Sequence, residues 1–240
     1  SAASDVYKRQ LYVPAMFPPI SMKKIGDLAD MDYRQRACAI LKTYLEDFSI
    51  PEIEAALAAA YDEKKFDDPA IAPMQKIDEE TWVLELFHGP TSAFKDFALQ
   101  ILPYLLTASA RKNGVNEDIV ILVATSGDTG KAALEGFADV DGTKICVFYP
   151  NGGTSPIQKL QMTTQKGENV LVTAVDGNFD DAQTGVKAIF TDKDYNAELL
   201  KSGLRLSSAN SINWGRLVPQ VAYYFSACLL YTSDAGRRAI

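Results

Sequence analysis

The chain is short of positive charge, of cysteine and of histidine, and it has no long apolar run. Lysine and arginine number 24 against 31 aspartates and glutamates, a formal net charge of -7. A surface that tracks a nucleic-acid backbone needs a surplus of cations, so a nucleic-acid partner is not expected, although a small local anion site stays open. The three cysteines, Cys38, Cys146 and Cys228, lie far apart and form no C-x-x-C pair. That spacing gives neither a disulfide framework nor a zinc knuckle, and a reducing cytoplasm is the expected setting. His88 is the single histidine. It argues against a multi-histidine metal centre, and any Ser-His-Asp triad would have to run through it. No segment is apolar for long enough to cross a bilayer and no signal peptide is visible, so no membrane partner is expected.

What the chain does have is material for a core. Of its 240 residues, 47% are hydrophobic and 23% charged, the balance of a globular protein with one large or two modest domains. Residues 11–80 read as a helical domain. "MDYRQRACAILKTYLEDF" places Tyr33, Ala37, Ile40, Leu41, Tyr44, Leu45 and Phe48 at helical spacing. In "SIPEIEAALAAAYDEK", Ser49 is a helix cap with Pro51 in the first turn.

From Thr81 the rhythm changes, and residues 81–240 read as an α/β region. "TWVLELF" predicts a strand, and "AFKDFALQILPYLLTASARKNG" a helix that Pro103 kinks or ends early. Then "DIVILVAT", "TKICVFYP" and "NVLVTAVDG" alternate as strands with the helical stretches "SGDTGKAALEGFADVDG", "SPIQKLQMTTQKG" and "NFDDAQTGVKAIFTD". Repeated β-α alternation is the pattern of a parallel sheet with helices on its faces. Ligands of such sheets sit at the carboxyl ends of the strands. The loop after "DIVILVAT" and the stretch around Asn151-Gly152-Gly153 lie there. The polar ends, residues 1–10 and about 229–240, read as foreign to the rest, the second because "YTSDAGRRAI" cuts off an apolar helix pattern; ordinary frayed termini are the equally open alternative.

Three segments could carry chemistry. In "ATSGDTGKAA" a strand runs through Thr125, Ser126, Gly127, Asp128, Thr129 and Gly130 into a helix. Such a turn can cradle an anion on backbone amides and the helix dipole; it can also be a plain capped turn. It is not a nucleotide P-loop, because Thr125 stands where that pattern needs glycine and Ala132 where it needs serine or threonine. In "HGPTSAFKDFALQ", Lys95 sits near a helix start between Phe94 and Phe97. A helix dipole and apolar neighbours both favour a neutral, nucleophilic amine, while Asp96 works against it if its charge is close; a solvated surface lysine is the ordinary alternative. In "LSSANSINWGRL", Asn210, Ser211, Asn213 and Arg216 could bind a phosphate or carboxylate, arginine by a forked contact; a Ser/Asn-rich helix cap is equally open.

Taken in order, "LFHGPTSAFKDFALQ", "ATSGDTGKAA", "YPNGGTSPIQKLQM" and "SSANSINWGRL" resemble the threonine synthase family, with the match running from about Leu11, in "LYVPAMFPPIS", to Ala227. The resemblance implies a tryptophan-synthase-β-like fold, fold type II of the pyridoxal-phosphate enzymes, with parallel sheets flanked by helices and an N-terminal helical domain. It implies pyridoxal 5'-phosphate as cofactor, held as a Schiff base on Lys95, which would also move protons. Thr125, Gly127 and Asp128 would lie at the cofactor. Ser126, Thr129, Asn210, Ser211 and Arg216 would hold the substrate, O-phospho-L-homoserine, which the family converts with water to L-threonine and phosphate. A related phospho-lyase on another phosphorylated amino acid, or a non-catalytic remnant, would keep many of the same residues. The family's Ser-Gly-Asn-Phe-Gly type loop for the cofactor phosphate is expected after Tyr223 and Tyr224 and is not found; "DGNFDDAQ" is a decoy, a strand-to-helix turn whose Asp180 and Asp181 would repel phosphate. The chain therefore reads as a partial sequence whose C-terminal part of the fold is missing.

Overall fold

A computed structural model describes residues 13–211 and 213–238, with side chains as far as residue 232. The expected foreign segment 1–10 lies outside the described residues. Among the described residues three helices come first, α1 (Met22–Ala29), α2 (Tyr33–Tyr44) and α3 (Ile50–Ala60). Each start is chemically marked. Asp32 and Gln35 cap α2 reciprocally, and at α3 both the amide and the hydroxyl of Ser49 donate to Glu52 while Pro51 occupies the first turn.

A two-stranded antiparallel hairpin follows, β1 (Met74–Lys76) with β2 (Trp82–Leu84). The strand expected at "TWVLELF" is therefore shorter than its pattern and stays out of the main sheet. Three half-exposed residues on each side offer no doubly buried face. Next come α4 (Asp96–Leu99) and α5 (Leu102–Lys112). The single helix expected here breaks at Gln100 and Ile101, because Pro103 has no amide to donate and suits only a first turn.

The rest is the α/β region. β3 (Asp118–Ala124), α6 (Asp128–Phe137), β4 (Thr143–Pro150), α7 (Pro156–Thr163), β5 (Val170–Val175), α8 (Phe179–Thr191), α9 (Lys193–Lys201), β6 (Leu204–Ser207) and α10 (Trp214–Arg238) follow in order. The four strands form one parallel sheet in the order β5-β4-β3-β6. Successive side chains of a strand point to opposite faces. Ile119, Ile121 and Val123 join α5, α6 and α7, while Val120, Leu122 and Ala124 join α8 and α9. A strand buried on both faces is a continuous apolar run, which is how β3 reads.

The N-terminal helices share a core with α4 and α10. Phe97 packs among Tyr33, Tyr61, Phe66 and Tyr223, with ring centroids 5.2–6.2 Å from it, and the Tyr61 hydroxyl donates to the Phe97 carbonyl. α10 contains Pro219 and continues beyond the apolar stretch "ACLL" as far as Arg238.

The topology fixes where a site belongs. The chain passes outward from β3 to β4 to β5, then returns to place β6 on the other side of β3. The loops leaving β3 and β6 therefore diverge at the point where strand order reverses, and they open a crevice at the carboxyl ends.

Candidate functional site

The β3–α6 loop holds itself together through Thr125. This residue is 2% exposed, and its Oγ1 accepts the amides of Gly127 and Gly130, each at 3.0 Å. Those two amides are thus occupied, and the anion cradle expected from this turn has two fewer donors. Asp128 begins α6. One of its oxygens accepts from Lys95 Nζ at 3.3 Å and the other from Gln158 Nε2. The Gln158 hydrogen bond, then the Lys95 charge, hold the Asp128 carboxyl below its usual range. Lys131 points elsewhere, to Glu135 and Gln165, consistent with the failed P-loop pattern.

Lys95 is aimed by its neighbour. Asp96 is fully buried, and its carboxylate accepts from Thr91 Oγ1 at 2.6 Å, Thr91 N at 2.8 Å and Ala93 N at 3.5 Å. Burial pushes the Asp96 carboxyl up, against the downward pull of those bonds. The Gly-Pro-Thr-Ser turn, with Ser92 left-handed at φ 54°, is pinned from inside. The ion partner of Lys95 is therefore Asp128 and not Asp96. Nor does Phe97 shield the amine, because it belongs to the aromatic core; Phe94 alone lies against it, 4.7 Å from ring centroid to Nζ. The side chain of Lys95 remains 18% exposed.

The β6–α10 loop supplies the opposite wall. Asn213 is used within the loop, donating to the Ser208 carbonyl and accepting from Gly215 N, each at 2.9 Å, so it is not free to bind a ligand. Arg216 is 7% exposed and donates through Nη1 to the Ala209 carbonyl at 2.8 Å, while its buried Nε has no hydrogen-bond partner. Among the described residues no carboxylate pairs with it. Burial lowers its pKa from the usual arginine value; arginine remains charged regardless.

These walls enclose a cleft of about 390 Å³ lined by Lys95, Thr125, Ser126, Asp128, Thr129, Asn210, Ser211 and Arg216. The sequence-predicted set is thus brought together, except that Gly127 and Asn213 do not line the cleft. Two cations face one carboxylate, so the cleft is locally positive within an acidic chain. Gln158, Phe179 and Gln183 also line it, and these three were not foreseen. Phe179 and Gln183 come from "DGNFDDAQ", which is a strand-to-helix turn as read: Asn178 caps α8 by accepting from the amides of Asp180 and Asp181. The Asn151-Gly152-Gly153 stretch does not line the cleft; Asn151 accepts from Lys159.

His88 lies upstream of the pinned turn. Its Nδ1 is 2.6 Å from Asp67 and its Nε2 2.9 Å from Glu85. The Glu85 bond, with Asp67 adding to it, raises the imidazole above its usual value despite some burial. This bridge contributes stability in full below the unfolded-state value and loses it as pH rises through the raised midpoint. A proton NMR titration of the single imidazole should give a midpoint above about 6.5, and Glu85→Gln should bring it down. A wild-type midpoint at or below the ordinary value would rule out the bridge. Among the described residues no cluster of histidine, cysteine, aspartate and glutamate could hold a metal, and no helix is long and apolar enough to cross a membrane.

No protein-family model matches the chain. It is 42% identical over 220 residues to a threonine synthase of Pseudomonas aeruginosa, covering 91% of this chain and 45% of that protein. It is 40% identical over 228 residues to the human threonine synthase-like 1, covering 91% of this chain and 30% of that protein. The solved pyridoxal-phosphate-bound threonine synthase of Brucella melitensis superposes with a TM-score of 0.84 at 37% identity, covering 96% of this chain and 49% of that one. The Escherichia coli threonine synthase does so at 0.78 and 35%, covering 96% of this chain and 51% of that one. This chain spans about half the length of the threonine synthases it matches. Over that half, the chain is homologous in sequence and in fold to the threonine synthases.

Proposed function

We propose that the chain carries the lysine-bearing half of a pyridoxal-phosphate-dependent threonine synthase, acting on O-phospho-L-homoserine and water to give L-threonine and phosphate. The observation that carries this reading is a cleft in which one aimed amine, Lys95, faces a buried arginine without a carboxylate partner. The residues suit the cofactor chemically: a primary amine for the aldehyde, a carboxylate beside that amine, and a cationic wall for an anion. When bound, pyridoxal phosphate supplies an electron sink for carbanions. Lys95 would hold it through its primary amine, and the same amine would move a proton at the substrate carbon, a task that needs an amine within hydrogen-bond reach. Asp128 fixes where that amine stands. Arg216, with Asn210 and Ser211, binds the substrate phosphate. Ser126 and Thr129 would orient the amino-acid end, and Thr125, which ties the amides of Gly127 and Gly130, would keep the loop beside the cofactor in shape.

The test is to incubate the chain with pyridoxal phosphate, reduce with borohydride and map the adduct by mass spectrometry. The expected product is a single phosphopyridoxyl group on Lys95. An adduct on other lysines only, or none, would overturn the reading. A second reading, a related phospho-lyase on another phosphorylated amino acid, would use the same lysine and the same cationic wall. Turnover of O-phospho-L-homoserine against other phosphorylated amino acids separates the two.

A further inference from the structure

We propose that Gln158 is a positioning residue of this site, an amide clamp that sets the Asp128 carboxylate so that its second oxygen meets Lys95. The inference rests on the proposed function for its purpose, and on the geometry alone for its existence.

Gln158 belongs to α7, on a different β-α unit from Asp128, and reaches across to the β3–α6 loop. Its carboxamide has one consistent orientation. Ser155 Oγ, in the cap of α7, donates to Gln158 Oε1 at 3.0 Å. That leaves Nε2 to donate to Asp128, whose other oxygen accepts from Lys95. The four groups form one chain, Ser155–Gln158–Asp128–Lys95, in which each donor has a matching acceptor. The approach is close enough to dictate a second residue. A Cβ on Gly127 would stand 2.3 Å from Gln158 Cδ and 2.5 Å from its Nε2 and Oε1. Glycine at 127 is therefore the condition for the clamp to close. Half-exposed Asp128 has no other neutral side chain donating to it among the described residues. Without the clamp it can swing toward solvent and release the amine with it. Displacements of about 1 Å at such a group cost up to about a hundredfold in rate.

The test uses the full chain and three variants. Gln158→Leu keeps bulk and removes the donor. Gln158→Glu keeps the shape and sets a second carboxylate against the first. Gly127→Ala evicts the amide without changing it. Carbon-13 NMR of the side-chain carboxylates, assigned with Asp128→Asn, should give an Asp128 titration midpoint that rises in the order wild type, Gln158→Leu, Gln158→Glu. Gly127→Ala should track Gln158→Leu. A residue that merely fills space would not separate leucine from glutamate. Borohydride trapping of pyridoxal phosphate at Lys95 should slow by about tenfold in Gln158→Leu and Gly127→Ala, with thermal unfolding checked in parallel. If the Asp128 midpoint is the same in the wild type and all folded variants, the clamp is overturned. If the wild type itself shows no adduct at Lys95, the proposed function falls, and the Asp128 titration still decides the clamp.

Discussion

Gly136→Ala should destabilise the protein by about 3 kcal/mol, at the upper end of what overpacking costs. Gly136 lies on buried α6 where that helix crosses the end of α4. A Cβ there would stand 2.1 Å from the Leu99 carbonyl oxygen and 2.7 Å from its carbon. These are backbone atoms, so no side-chain rotation relieves the clash; one helix must move off the other. Leu99 is the last residue of α4 and Lys95 is the residue just before that helix, so the displacement reaches Lys95 as well. Urea unfolding followed by circular dichroism should show the midpoint fall, and trapping at Lys95 should fall with it. Gly26→Ala gives the contrast. Its Cβ would meet nothing within 4 Å inside helix α1, so alanine should stabilise by up to about 1 kcal/mol through helix propensity alone. Equal stability of Gly136→Ala and wild type would refute the close crossing of α6 over α4.

How much of this was legible follows from where each element's neighbours come from. β3 and β4 are buried largely by helices on both faces, and an apolar run signals that without further context. β6 pairs only with β3 and alternates over four residues, with Arg205 turned to Glu117; so short an edge strand leaves no readable period. α9 has no fully buried residue and meets the core through partly buried Leu199, so its apolar signal is weak. The site divides in the same way. Lys95, the Thr125–Gly130 turn and Arg216 carry recognisable chemistry, and the ordered motifs point to all three. The direction of each side chain was not legible. Phe97 turns into the aromatic core because Tyr61 and Tyr223, distant in sequence, surround it there, and Asp96 turns into its own loop because the Thr91 hydroxyl and amide bind it. Gln158 carries no chemical signal at all; its role exists only because α7 passes beside the β3–α6 loop.

Arg216→Leu should weaken binding of phosphate or O-phospho-L-homoserine by about ten- to a hundredfold, the worth of one or two charge-assisted hydrogen bonds. The ligand-free protein should at the same time melt no lower than wild type. A guanidinium that is 7% exposed, with no carboxylate partner and an unpartnered Nε, is held out of water at a cost that its one bond to the Ala209 carbonyl does not offset. In the proposed function an incoming dianion would supply the missing partner. Phosphate should therefore raise the melting temperature of the wild type and leave that of Arg216→Leu nearly unchanged. Arg216→Lys keeps the charge and loses the planar fork, so its affinity should fall between the two. The opposite pattern, a large loss of ligand-free stability with phosphate binding retained, would mean that Arg216 serves the β6–α10 loop through Ala209 and that the anion is held elsewhere. The two patterns differ in sign for the ligand-free melt, so calorimetry on three proteins with and without phosphate decides between a stored binding site and a structural arginine.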